Sequence, residues 1–169
     1  ARELGALAAN SGSTLGVHLK IDTGMARLGV RPEAALRVAQ TIAESTALNL
    51  RGVMTHFSSA SAGKTASGQQ ALFVSVLGEI RDAGIEIPSV HCASSASIFS
   101  EGDFIGDAVR PGISLFGILP PGVAEVAHLR PVLSLRAQVV FLKDLPAGAP
   151  VGYGGKWTSH RPTRLATLP

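Results

Sequence analysis

The chain has 169 residues, 46% of them hydrophobic and 16% charged, with a formal charge of +3. That is enough apolar content to pack a core and too little charge for a disordered chain. Lysines and arginines are scattered and aromatics make up 5%, so no phosphate-tracking stripe or stacking platform is present and nucleic-acid binding is not expected. Neither a membrane span nor a secretory signal is expected. The single Cys92 excludes an internal disulfide framework and fits a reducing compartment, so a cytoplasmic location is expected.

In chain order, "ARELGALAAN" lacks an initiator Met and reads as the tail of a helix, so the chain is expected to be an internal fragment. "GVHLKID" (16–22) is a short strand. "RPEAALRVAQTIAES" (31–45) is a helix, with Pro32 near its first turn and Ala35, Val38, Ala39 and Ile42 on one face. "LRGVMTHF" (50–57) is the next strand, followed by a polar loop and a helix over 67–84. There Ser67 and Gln70 form a capping-box pair, Phe73, Val76, Leu77 and Ile80 make the buried stripe, and Gly84 suits the exit. "IPSVHCA" (87–93) and "AVRPGISLFG" (108–117) are further strand candidates. Strands alternating with helices predict an α/β fold with parallel strands and helical crossovers, a (β/α) barrel or an open doubly wound sheet.

Near residue 119 the pattern changes. "LPPGVAE" is a Pro/Gly break, and the remainder shows alternating apolar residues, turn dipeptides and no helical period. Residues 1–119 are therefore expected to form the parallel α/β part. Residues 120–169 are expected to be a linker and the first strands of an incomplete antiparallel β domain.

In barrels and open α/β sheets, ligands bind at the C-terminal ends of the parallel strands. The residues standing there are Lys20, Asp22, Thr23 and Arg27 after the first strand, then Thr55 and His56. His91, Cys92, Ser94 and Ser95 end the third, and Arg110, Gly112 and Ile113 the fourth. Each has an ordinary explanation taken singly. The histidines suit hydrogen-bonded core positions, Asp22 and Arg27 a surface pair worth under about 1 kcal/mol, the serines a helix cap, and "RPG" a turn. Polar residues at four strand ends together point to a site.

Two chemistries fit. In one, Ser95 and the amides near Gly112 and Ile113 cradle a phosphate while Arg110 and Arg27 face the rest of an anionic ligand. In the other, Lys20, His56 and His91 imitate a metal amidohydrolase, with a carbamylated lysine bridging two ions. An always-cationic Arg110 beside metal ions opposes that second reading.

"HLKIDTGMARLG" (18–29), "GVMTHFSSA" (52–60), "HCASSASIF" (91–99), "VRPGISLFG" (109–117) and "GAPVGYGGKW" (148–157), in this order, closely resemble the alanine racemases, fold-type III pyridoxal-phosphate enzymes. The resemblance covers essentially the whole chain. It implies the later part of a (β/α)8 TIM barrel followed by the beginning of an all-β C-terminal domain, with pyridoxal 5'-phosphate as cofactor, alanine as substrate and a homodimer as the working form. Activity on serine, lysine or several amino acids is the alternative within the same fold.

Residue by residue, the resemblance makes Arg27 the holder of the substrate carboxylate and Lys20 a candidate for carbamylation. Arg110 would face the pyridine nitrogen, with His56 supporting it and the ring. Ser95 with the backbone of Gly112 and Ile113 would hold the phosphate. Three positions depart from the usual pattern: Ser94 replaces Asn, Phe116 replaces Tyr, and Ala26 replaces Gly, the last reading as a small change. The cofactor-bearing lysine is expected upstream of Ala1 and the opposing tyrosine base after "LATLP". Neither base is then in this chain, which by itself is expected to racemise nothing. Tyr153 lies in a different block and is assigned no catalysis.

Overall fold

The computed structural model describes residues 1–58, 63–100, 106–123 and 129–169, with the side chains of 63–65 left aside. The expected polar loop after residue 57 and the Pro/Gly break at 119–125 lie partly outside the described residues. Two compact units form, Ala1–Val132 and Leu133–Pro169.

The first unit runs α1 (Arg2–Asn10), β1 (Leu15–Lys20), α2 (Pro32–Ala43), β2 (Leu48–Met54), α3 (Gly63–Asp82), β3 (Val90–His91), β4 (Ala93–Ser94), α4 (Ser95–Ile98) and β5 (Val109–Arg110). β1, β2 and β3 pair in parallel in that order, and β4 pairs in parallel with β5. Helical crossovers between parallel neighbours put the helices on one face of the strands. The apolar residues follow: Leu19, Ile21, Leu50 and Val53 of the β1 and β2 segments share one buried cluster with Ala35, Ala39 and Ile42 of α2.

Pro32 opens α2, where its missing N–H costs nothing, and Arg31 before it is extended. The expected stripe of α3 is the centre of the core, with Phe73 and Ile80 wholly buried and Val76 and Leu77 nearly so. Its start differs from expectation. α3 begins at Gly63, so Ser67 and Gln70 lie inside the helix rather than capping it. Gln69 does the fastening instead: its Oε1 accepts the Ser58 N–H at 3.0 Å and its Nε2 donates to Ser58 Oγ at 2.8 Å. Gly84, at φ +76°, turns the chain out of the helix as its N–H reaches Arg81 O.

The third and fourth strands are shorter than expected. Of 108–117 only Val109–Arg110 is strand, and Ile113–Phe116 forms a 3-10 turn. Pro111 has no N–H to donate to a ladder. The Gly112 and Ser114 N–H groups bond to Ser95 Oγ rather than to a neighbouring strand.

In the second unit, β6 (Phe141–Leu145) pairs antiparallel with β9 (Thr163–Thr167), and β7 (Pro150–Val151) with β8 (Trp157–Thr158). This is the antiparallel β expected from the alternation. The first compact unit extends to Val132. Val132 N–H donates to Phe116 O at 3.2 Å, which ties the end of the linker to the first unit. Among the described residues no helix is long and apolar enough to cross a membrane.

Candidate functional site

The segment after β1 closes on itself. Val30 N–H donates to Lys20 O at 2.9 Å and Asp22 N–H to Val30 O at 2.7 Å, so residues 22–29 form a loop anchored at the strand end. Asp22 shapes that loop: its Oδ1 accepts the N–H groups of Gly24 and Ala26, both at 3.0 Å. Those backbone donors, Ala26 first, hold the carboxyl below its ordinary range. The surface pair between Asp22 and Arg27 is not formed, since the ion pair present among the described residues is Arg164–Asp144. Arg27 is exposed on the loop. Ala26 sits at φ +55°, a left-handed conformation that costs a non-glycine residue roughly 1–2 kcal/mol. Replacement of the usual glycine there is therefore a strained change rather than a small one.

Thr55, wholly buried at the end of β2, ties this loop to the next strands. Its Oγ1 donates to Ile21 O at 2.9 Å, which leaves Thr23 Oγ1 to donate to Thr55 Oγ1 at 2.8 Å. Its carbonyl accepts Arg110 Nη2 at 2.7 Å.

Arg110, at the end of β5, is the most constrained cation of the site. Its Nη1 lies 2.6 Å from His91 Nδ1, and Nη2 also reaches Cys92 O at 3.4 Å. Its Nε takes part in none of the hydrogen bonds among the described residues. Burial lowers its affinity for the proton, yet guanidinium remains charged at any ordinary pH. The sequence reading gives the support of Arg110 to His56. The hydrogen bond goes to His91 instead, whose Nδ1 accepts from Arg110, and the two histidine environments explain the difference. His91 is on β3, two residues before the start of β4, whose Ser94 pairs with Arg110, whereas His56 lies beyond the end of β2.

His56 nevertheless marks where the charges meet. Its basicity is pushed down first by burial, then by Arg110, Arg27 and Lys20. Three cations from two strand ends, Lys20 and Arg27 after β1 and Arg110 on β5, thus act on one imidazole, and like charge disfavours its protonated form. His91 is lowered too, by burial and then by Arg110 and His18, while burial raises the Cys92 thiol.

Beside Arg110, buried Ser95 Oγ gathers three donors: Gly112 N–H at 2.7 Å, Ser114 Oγ at 3.1 Å and Ser114 N–H at 3.4 Å. Ser95 and Gly112 are brought together as expected. Ile113 lies between the two donor amides in the chain, its side chain 44% exposed. Ser114 was not legible as a member, because "GIS" carries no signal apart from its place after Arg110. The metal reading loses His91 as a donor. His91 has one ring nitrogen on Arg110 and the other on His18, and among the described residues no group of three His, Cys, Asp or Glu is placed to hold a metal ion.

Residues 1–120 match the N-terminal domain of alanine racemase and residues 132–169 its C-terminal domain. The alanine racemase of Treponema pallidum is 39% identical over 168 residues, covering 95% of this chain and 45% of that protein. That of Desulfovibrio desulfuricans is 37% identical over 169 residues, covering 98% and 46%. The solved alanine racemase of Streptomyces coelicolor A3(2) superposes with a TM-score of 0.82 at 29% identity, covering 98% of this chain and 45% of that one. A Bartonella henselae alanine racemase with covalently bound pyridoxal phosphate gives 0.74 at 28% identity, covering 99% and 45%. The chain therefore spans about 45% of the length of these relatives. Its fold is theirs over that span, the later TIM barrel and the start of the β domain. By sequence and by structure, the chain belongs to the alanine racemase family.

Proposed function

We propose that the protein is a pyridoxal 5'-phosphate-dependent alanine racemase, an isomerase interconverting L- and D-alanine and supplying D-alanine for peptidoglycan. The observation that carries this reading is Arg110, held by His91 and the Thr55 carbonyl, with the cluster of Ser95, Gly112 and Ser114 gathered just beyond the ends of the paired strands β4 and β5. A phosphorylated pyridine needs a partner for its ring nitrogen at one end and N–H and O–H donors at the other. Both kinds of group stand at or just beyond the ends of these two strands, so the residues fit the cofactor. Family membership and the cofactor named for the Bartonella henselae structure support it.

When bound, the cofactor would delocalise the negative charge left as the substrate Cα loses its proton. This chain's residues would set the terms of that chemistry. Arg110, whose Nε takes part in no hydrogen bond among the described residues, would face the pyridine nitrogen and keep it unprotonated, because Arg does not surrender its proton. That weakens the ring as an electron sink and favours proton return over side reactions. The Ser95 hydroxyl and the backbone at Gly112 and Ile113 would hold the phosphate. Arg27 would clamp the substrate carboxylate in two parallel hydrogen bonds.

His56, disfavoured as a cation, would lie against the ring as a neutral group. Carbamylation of Lys20 would replace one of three cations around His56 by an anion and steady Arg27. The two bases that remove and return the Cα proton on opposite faces are assigned to segments outside this chain. A homodimer in the cytoplasm completes the reading. The nearly fully exposed Leu133, Leu135 and Tyr153 of the second unit offer apolar surface for a partner subunit.

The test uses the whole gene product. With pyridoxal phosphate added, chiral chromatography should show L-alanine converted to a near-equal mixture with D-alanine. Arg27→Lys should lower kcat/KM about 10- to 100-fold, since a point charge cannot reproduce a bidentate clamp. Faster turnover of serine or lysine than of alanine would overturn the substrate assignment. Cofactor bound without any racemisation would overturn the activity.

A further inference from the structure

His18 is used by none of the roles above, yet it sits at the end of a hydrogen-bonded line that begins at Arg110. Its Nδ1 lies 2.9 Å from His91 Nε2, and the two rings are 5.0 Å apart with a 59° tilt. The two histidines are not on neighbouring strands: His18 is on β1 and His91 on β3, with β2 between them. Two features of β2 allow the contact. A bulge at Arg51 shifts the pairing so that His18 stands level with Gly52. A Cβ on Gly52 would meet His18 Nδ1 at 2.7 Å and Cε1 at 2.8 Å, so the imidazole occupies the space a side chain there would fill. The intervening strand has a gap where the ring crosses it.

The polarity of the line is fixed by its first member. Guanidinium has donors and no acceptor, so His91 Nδ1 must accept from Arg110. A neutral His91 then carries its proton on Nε2 and donates it to His18 Nδ1. Without an acceptor at His18, nothing holds the Nε2 proton in place. The competing tautomer would point an N–H at the Arg110 guanidinium.

We propose that His18 is a positioning residue which, across the gap at Gly52, fixes the tautomer and ring orientation of His91 and thereby the setting of Arg110. Its consequence for catalysis rests on the reading of Arg110 as the partner of the pyridine nitrogen.

The test compares His18→Leu with His18→Asn in the whole gene product. Asn places an oxygen acceptor at the bonded position of Nδ1, whereas Leu places a methyl group there. With 15N-labelled histidine and no cofactor, the parent protein should show His91 unprotonated at Nδ1 and protonated at Nε2. His18→Leu should lose that single tautomer and His18→Asn should restore it. An unchanged His91 spectrum in His18→Leu would overturn the proposal, as would equal loss in both variants. This readout needs no bound ligand, so it decides the proposal even if pyridoxal phosphate fails to bind and the functional reading falls. With the cofactor bound, His18→Leu should lower kcat about tenfold, the worth of one hydrogen bond. KM for alanine should stay within about twofold, because Arg27 is untouched. A change in KM with constant kcat would overturn the link to Arg110.

Discussion

In the first unit Thr55 and Ser95, at two strand ends, are buried and held by several partners each; in the second, nearly every side chain faces water. Thr55 has its hydroxyl on Ile21 and Thr23 and its carbonyl on Arg110, and Ser95 Oγ collects three donors. Four of the five residues of β6 are exposed, and the Arg164–Asp144 pair beside it is 69% and 71% exposed. A buried polar group is expensive to leave unpaired, so each partner in the first unit is fixed where it stands. An exposed ion pair is screened and interchangeable with water. Fixed polar geometry therefore belongs to the first unit. The second unit contributes surface.

The sharpest break in that contrast is Phe73→Ala. Phe73 is wholly buried at the middle of α3, and its loss should cost about 3–5 kcal/mol of stability, read by urea unfolding of the whole gene product. A cost below about 1 kcal/mol would mean that this core does not hold the strands. The second unit has one comparable point. Ser159 is 1% exposed, donates to Pro146 O at 2.6 Å and accepts from Ala149 N–H at 3.0 Å, pinning the turn between β6 and β7. Ser159→Ala leaves that N–H unpaired and should cost about 1–3 kcal/mol. Amide exchange across 146–151 should accelerate accordingly, while exchange in β1 and β2 stays unchanged.

How much of this was legible in the sequence follows the same division between burial and local geometry. Helix faces were readable because burial imposes a period: Phe73, Val76, Leu77 and Ile80 are where the spacing puts them. The start of α3 was not, since a capping-box pattern at Ser67 also occurs inside helices and nothing local distinguishes the two. Gathering of Arg110, Ser95 and Gly112 was legible through their places at successive strand ends. The identity of Arg110's partner was not. Choosing His91 over His56 depends on β3 ending early and β4 turning toward β5, a tertiary fact without a sequence signal. Ala26 is similar: its composition looks harmless, and only the positive φ, imposed by the Asp22 loop, makes it costly.

Protonation sharpens the comparison further. The folded protein lowers the proton affinity of His56 and His91 below the ordinary value near 6.5. Below about pH 6.5 the unfolded chain therefore binds protons that the folded one refuses, and stability must fall as pH drops. Their contribution is full above that pH and is lost as pH falls through the lowered folded values. Urea unfolding of the whole gene product at pH 7.5 and 5.5 should show lower stability at 5.5. A flat profile, or higher stability at 5.5, would mean that these histidines are not held neutral. Asp22 and Asp144 do not confuse the window, because their lowered carboxyls act only in acid well below it.

The smallest effect expected is that of Asp144→Ala. Arg164 holds the Asp144 carboxyl below its ordinary range through hydrogen bonds of 2.7 and 3.0 Å, geometry that invites the inference of a strong staple between β6 and β9. Both groups are open to water, however, and solvent offers each nearly what the partner does. The strands remain joined by their backbone ladder from Phe141↔Thr167 to Leu145↔Thr163. Asp144→Ala should leave the melting temperature and amide exchange in β6 and β9 unchanged within error. A loss as large as that from Ser159→Ala would show that exposed charge, rather than the backbone ladder and the buried serine, organises the second unit.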